Sequence, residues 1–195
     1  RPLQYTLRVD IPQSQRAIIA GDLVSDRVTD GRRLQTYRFE QPDPAIDLMA
    51  GPYRVTERKF TGAGNHTITL RSLLHEEVAN LGADYLDATE RYLRLYERWI
   101  GPYPYGSFSI VSSPTPTGFG MPTLTYLGID VLRLPFIRDT SLGHEVLHNW
   151  WGNGVRPDYT RGNWSEGLTT FMADYAYREQ AGAELPLQRR LVDDR

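Results

Sequence analysis

The apolar pattern of this chain changes its period once, near residue 80, and that change limits what the chain can fold into. In the first third, Tyr5, Leu7, Val9 and Ile11 alternate with Thr6, Arg8 and Asp10, the two-residue repeat of a half-buried strand. From Leu81 onward, Leu81, Tyr85, Ala88, Tyr92, Tyr96 and Trp99 recur at steps of three and four residues. This predicts one amphipathic helix of about five turns. Gly101-Pro102 stops it, because proline drives its predecessor out of helical geometry.

Further short strands are expected over residues 16–23, 34–40, 53–60 and 67–70, separated by turn sequences such as Thr29-Asp30-Gly31 and Gly62-Ala63-Gly64-Asn65. Strands at this spacing suggest part of an antiparallel β-sandwich. Beyond the long helix, Ser107–Ser113 reads as a strand, followed by a loop rich in Pro, Thr and Gly and a second strand-like stretch over 123–131. Two more helices are expected over 140–153 and 164–181. The fold class is therefore α+β, with a composition shift near residues 72–80 dividing a β-rich unit (1–75) from a helix-bearing unit (76–195).

Composition narrows the possible functions. With 22 basic against 24 acidic residues, the chain has no electrostatic footprint for nucleic acid or an anionic membrane. No apolar run reaches the length of about 20 residues that spans a bilayer. There is no cysteine, so any metal site must be built from imidazole and carboxylate. The chain opens on Arg1 and closes on Asp193-Asp194-Arg195, which reads as a piece of something longer.

One string carries chemistry: His144-Glu145-Val146-Leu147-His148. Residues four apart on a helix lie on one face, about 6 Å apart along the axis, so both imidazoles can share one zinc ion. Glu145 is placed to take a proton from water activated at such a site. A catalytic zinc needs a third protein ligand and an open position. Glu166, at the start of the next helix, is a candidate: the chain reverses through Gly152-Asn153-Gly154 and Pro157-Asp158, which lets that helix return antiparallel. The bland alternative is a polar edge of the core with Glu166 as a first-turn acid. His66 and His75 lack partner spacing, and Trp150, Trp151 and Trp164 read as core or cleft wall. Thr170 and Asp174 are candidates to orient the ligands.

The stretch His144-Glu145-Val146-Leu147-His148-Asn149-Trp150-Trp151-Gly152-Asn153, followed by Ser165-Glu166-Gly167-Leu168-Thr169-Thr170-Phe171-Met172, resembles the M1 family of zinc peptidases, the gluzincin aminopeptidases. Gly101-Pro102-Tyr103-Pro104-Tyr105-Gly106-Ser107-Phe108-Ser109-Ile110-Val111 resembles the turn and strand that precede that family's substrate loop, and Met49-Ala50-Gly51-Pro52-Tyr53-Arg54-Val55 resembles the end of its N-terminal β domain. The resemblance implies an N-terminal β domain joined to a thermolysin-like catalytic subdomain, whose small sheet offers an edge strand to a peptide above the zinc-bearing helices. It implies His144, His148 and Glu166 as ligands of one zinc ion, Glu145 as general base, and Gly118, Phe119, Gly120 and Met121 as substrate-binding residues.

Three departures bear on function. The spacer between His148 and Glu166 is seventeen residues, 149–165, one fewer than in the family pattern, and could rotate Glu166. The family's loop glutamate, which pairs with a substrate's free amino group, is absent: Gly120 or Pro122 stands there, and no acidic residue lies between Glu97 and Asp130. The family's oxyanion tyrosine would fall beyond Arg195, since Tyr175 and Tyr177 lie too close to Glu166. Peptide-bond hydrolysis, with an endopeptidase or altered exopeptidase preference, is the leading reading. The alternative is a peptidase-like scaffold that binds zinc or peptide with little turnover. Zinc as a purely structural staple leaves Glu145 without a role.

Overall fold

A computed structural model of the chain describes residues 3–43 and 45–176. The first strands form as their alternation predicts. Strands β1 (Leu3–Pro12), β3 (Asp22–Thr29) and β4 (Arg32–Asp43) make an antiparallel sheet in the order β1-β4-β3. Asp30 and Gly31 join β3 to β4 with φ of 51° and 75°, the left-handed pair that a tight hairpin of this hand requires. Strand β2 (Arg16–Ile19) pairs with β5 (Leu48–Gly51) in a second, two-stranded sheet. The expected single strand over 16–23 is broken at Gly21, whose φ of 108° turns the chain from β2 into β3.

The remaining strands are β6 (Arg54–Thr61), β7 (Thr67–Leu74), β8 (Ser107–Ser113), β9 (Gly118–Met121) and β10 (Leu124–Gly128). They form a mixed five-stranded sheet in the order β6-β7-β8-β10-β9. Strands β7, β8 and β10 run parallel, and β9 closes one edge antiparallel to β10. Hydrogen bonding is thus continuous across residue 75, since β6 and β7 pair into the sheet that carries β8 to β10. The composition shift there marks the passage from strand to helix beside one sheet.

The two faces of this sheet bury different partners. Ile68, Leu70, Leu74, Phe108, Ile110 and Leu127 pack towards the long helix α1 (Gly82–Trp99), meeting Tyr85, Leu86, Leu93 and Tyr96. Leu73, Val111 and Leu124 point the other way, into a cluster with Ile18, Ile19, Tyr37 and Tyr53 from the N-terminal strands. Period-two alternation along β7, β8 and β10 is what divides the residues between these layers.

Three shorter helices follow: α2 (Ile129–Leu132), α3 (Ser141–Leu147) and α4 (Trp164–Thr170), the last continuing as a π-helical turn through Phe171–Ala176. The expected strand over 123–131 therefore ends at Gly128 and turns helical. The helix expected over 140–153 stops at Leu147, with His148 as its C-cap. The part of the 164–181 helix beyond Ala176, together with Tyr177 and the terminal charged run, lies outside the described residues. Helix α3 packs on α1 at Gly143, where a Cβ would lie 2.5 Å from Tyr92 Cε1. Among the described residues no helix is long and apolar enough to cross a membrane.

Candidate metal centre and its cleft

Helix α3 presents His144 and His148 on one face even though it is short. The turn is retained through its cap, where the His148 amide donates to the His144 carbonyl at 3.1 Å and His148 keeps helical angles of −56° and −19°. The two imidazoles meet edge to face, with their Nε2 atoms 3.0 Å apart.

Glu166 reaches both. Its carboxylate oxygens lie 3.0 Å from His144 Nε2 and 3.3 Å from His148 Nε2. The short spacer has not turned Glu166 away, and the reason is local. Asn163 caps α4: its Oδ1 accepts from the Glu166 amide at 3.4 Å and from the Ser165 hydroxyl at 2.9 Å. That places Glu166 in the first turn, beside the positive end of the helix.

One nitrogen or oxygen from each of the three side chains lies within 4.8 Å of the others, so the set can hold a metal ion. Two imidazoles and a carboxylate match the donor set of a catalytic zinc, leaving a side open. The orientation of His148 fits as well. Its Nδ1 faces the Trp151 carbonyl at 3.0 Å and donates to it, which leaves the Nε2 lone pair directed at the shared point. This partner is a backbone carbonyl rather than Thr170, which is exposed on α4. Asp174 lines a second cavity with Thr140, Ser141, His144 and Glu145.

A cleft of about 370 Å³ lies over the centre, lined by Gly118, Phe119 and Gly120 on one side and His144, Glu145, His148 and Glu166 on the other. Glu145 is half-buried there. Burial raises its carboxyl above the ordinary range, His148 and then His144 pull it back down, and the charge of Glu166 adds to the rise. A carboxylate with a raised pKa is a better proton acceptor than an exposed one. Met121 departs from expectation. Strand pairing turns its side chain to the opposite face of the sheet, against the cluster containing Leu124, so it does not line the cleft.

The cleft also draws on Asn153, Tyr159, Asn163 and Ser165, which the sequence reading did not single out. Asn163 was legible in principle as the cap three residues before a glutamate. Tyr159 had no local signal; it is held on a loop that Asp158 pins by accepting from the Thr160 amide and hydroxyl at 3.0 and 2.6 Å. Those bonds lower the Asp158 carboxyl pKa. His75 lies away from the centre, with Nδ1 2.6 Å from the Ser112 hydroxyl. Trp150 is core, Trp151 packs against Trp164, and none of the three tryptophans lines the cleft.

No protein-family profile matches the chain. Individual proteins do. Aminopeptidase RNPEPL1 of Homo sapiens is 33% identical over 153 residues, covering 75% of this chain and 20% of that protein. Leukotriene A-4 hydrolase of Xenopus laevis is 27% identical over 180 residues, covering 86% of this chain and 28% of the other. Among solved structures, the M1 zinc metallopeptidase of Deinococcus radiodurans superposes with a TM-score of 0.75 at 26% identity, over 94% of this chain. The chain belongs to the M1 family. This M1 chain spans 20–28% of the length of those two curated relatives and 42% of the Deinococcus chain. A mutant of the Deinococcus enzyme bound to Tyr-Ser-Ala shares the M1 chain's fold at a TM-score of 0.73.

Proposed function

We propose that this chain carries the zinc site of a metallopeptidase that hydrolyses peptide bonds and does not select its substrates by a free amino terminus. The observation that carries the reading is the convergence of His144, His148 and Glu166 beside Glu145, on the floor of a cleft roofed by an edge strand. The M1 relatives, and the tripeptide bound by the Deinococcus mutant, support a peptide as the substrate class.

His144, His148 and Glu166 hold one zinc ion in this reading. Zinc, when bound, supplies the Lewis acidity that polarises the scissile carbonyl and lowers the pKa of water towards about 7. The other steps fall to the protein. Glu145 accepts the proton of the attacking water and delivers it to the departing amine. The Trp151 carbonyl keeps His148 in the tautomer that ligation needs. Gly118, Phe119 and Gly120 present a strand edge along which a peptide main chain can pair. Residues 76–195 act as the catalytic part, and the β-rich residues 1–75 buttress it and lend it β6 and β7.

Selectivity follows from Gly120. A substrate ammonium needs a carboxylate partner, and on the β9 side of the cleft Gly118, Phe119 and Gly120 supply none. A site that does not pair the ammonium loses the basis for rejecting blocked peptides. The same observation favours the second reading, a zinc- or peptide-binding scaffold with little turnover.

The two are separated by assaying the complete polypeptide, loaded with zinc, on internally quenched peptides with free and acetylated termini. The enzyme reading expects the two forms to be cleaved at rates within about tenfold of each other, and cleavage to disappear in Glu145→Gln. The absence of turnover on either form, with zinc bound, would establish the scaffold instead.

A further inference from the structure

Thr123, in the turn between β9 and β10, has a φ of 67°. A β-branched residue is strained in this left-handed region. It is 3% exposed, and its polar groups are each engaged by a different part of the molecule. The amide donates to Asn149 Oδ1 at 2.9 Å. The hydroxyl oxygen accepts from the Gly21 amide at 2.8 Å. The carbonyl accepts from the Ser109 amide at 2.9 Å. A strained conformation persists only where its surroundings over-determine it, and such residues concentrate at functional sites.

Asn149 is the other half of this contact. It follows His148 directly and is fully buried. Its Nδ2 donates to the Val146 carbonyl at 3.1 Å, which also accepts from the Asn149 backbone amide, and approaches the Glu145 carbonyl at 3.4 Å, so the side chain is bound to the last turn of α3. Its Oδ1 faces the Thr123 amide and also lies 3.2 Å from the hydroxyl of Tyr103. One amide side chain therefore joins the backbone that carries Glu145 to the turn that ends β9. Gly120, three residues before Thr123, lies against the Glu145 carboxylate.

We propose that Asn149 is a positioning residue of this peptidase: by clasping Thr123 it sets the spacing between the substrate edge β9 and Glu145. The inference rests on the peptidase reading. It assigns Asn149 no contact with substrate or metal. The residue acts through the strand it holds, and a misplacement of about 1 Å at such an edge costs on the order of 100-fold in rate.

The test compares the complete, zinc-loaded polypeptide with Asn149→Ala, with the double variant Asn149→Ala/Thr123→Gly, and with Tyr85→Phe as a stability control away from the cleft. Amide exchange read by NMR or mass spectrometry reports the clasp itself. Thr123 exchange accelerates in Asn149→Ala and stays slow in Tyr85→Phe. In Asn149→Ala zinc content stays at the wild-type level while kcat/KM falls about 10- to 100-fold, chiefly through KM for peptides long enough to pair with β9. Glycine adopts the left-handed turn without strain but gives up the hydroxyl that accepts from the Gly21 amide, so Thr123→Gly alone is measured as well, and Asn149→Ala costs at least about threefold less in that background than in the wild type. The control keeps its KM.

Three results would overturn the proposal: unchanged Thr123 exchange in Asn149→Ala, unchanged kinetics in that variant, or an Asn149→Ala effect as large in the Thr123→Gly background as in the wild type. Loss of zinc in Asn149→Ala would overturn it too, by making the residue a support of the ligand helix alone. A wild-type protein that turns over no peptide overturns the peptidase reading and this inference with it, whereas an active wild type with unaffected variants overturns only the clasp.

Discussion

Gly120 lies so close to Glu145 that a Cβ built on the glycine would fall inside the van der Waals shell of Glu145 Oε2. The edge strand and the proposed general base are therefore in mutual contact, and the absence of a side chain at residue 120 is what lets them approach.

Gly120→Ala is expected to push β9 or the Glu145 carboxylate out of place. Turnover of peptides should fall about 10- to 100-fold while zinc content is retained, because the clash is with Glu145 and the nearest ligand atom, His148 Cδ2, lies at an ordinary contact distance of 3.6 Å. Steady-state kinetics with parallel metal analysis checks this. Activity within twofold of wild type would contradict it.

Gly143 plays the matching part beneath the metal centre. Its missing side chain admits the Tyr92 ring, and its carbonyl accepts from the Tyr96 hydroxyl at 3.0 Å. Gly143→Ala must displace α3 from α1 and is expected to cost about 1–3 kcal/mol of stability, the usual range for overpacking. Urea titration of the folded protein reads this directly.

Asn163 holds Glu166 in the first turn of α4. Asn163→Ala is expected to lose about 1 kcal/mol of helix capping. Zinc affinity should weaken several-fold as Glu166 gains freedom. Competition with a chromogenic chelator measures the affinity, and an unchanged value would show that other contacts orient Glu166.

Alkaline stability should be governed by buried tyrosines. Burial raises the Tyr85 pKa to about 12, from an ordinary value of about 10, and raises Tyr37 and Tyr53 as well. A raised folded-state pKa means that the unfolded chain releases the proton first. The contribution is thus complete below pH 10 and is lost as the pH climbs through 12. The slope from Tyr85 is about 1.4 kcal/mol per pH unit. Lys59 is the one lysine, so titration in that window belongs mainly to the tyrosines, among them Tyr103, which burial also raises. Tyr85→Phe, which also gives up the 3.0 Å bond to the Leu132 carbonyl, should be less stable at pH 8 yet show a shallower decline from pH 10 to 12 in denaturant titrations. Equal slopes would contradict the assignment.

The parts of this molecule that were legible in its sequence are those whose signal is local. Residues 81–99 announced a helix because their burial repeats every three to four positions, and the structure buries Tyr85, Ala88, Tyr92 and Tyr96 accordingly. The pair His144 and His148 needed only helical spacing to share a face. Strand β9 has no such signal, because Gly118 and Gly120 carry no strand preference; pairing with β10 alone makes it a strand. The α3 helix ends at Leu147, earlier than its stop signals at 152–154: the Asn149 backbone amide bonds the Val146 carbonyl three residues back, and the Asn149 side chain ties this helix end to Thr123. Nothing in the neighbourhood of residue 149 announces a partner at residue 123. The continuity of the sheet across residue 75 was hidden for a similar reason: α1 intervenes between β7 and β8, and a parallel pairing across such a crossover leaves no mark on either strand.

The proposed chemistry stands on His144, His148 and Glu166 together holding one zinc ion. It is tested most directly by the metal content of the complete polypeptide purified without chelator, measured by plasma mass spectrometry for the wild type and for His144→Ala, His148→Ala, Glu166→Ala and Glu145→Gln. We expect close to one zinc per chain in the wild type and in Glu145→Gln, and strongly reduced zinc in each of the three ligand variants. A wild type without zinc, or ligand variants that retain it at the wild-type level, would show that these three side chains are not a zinc site.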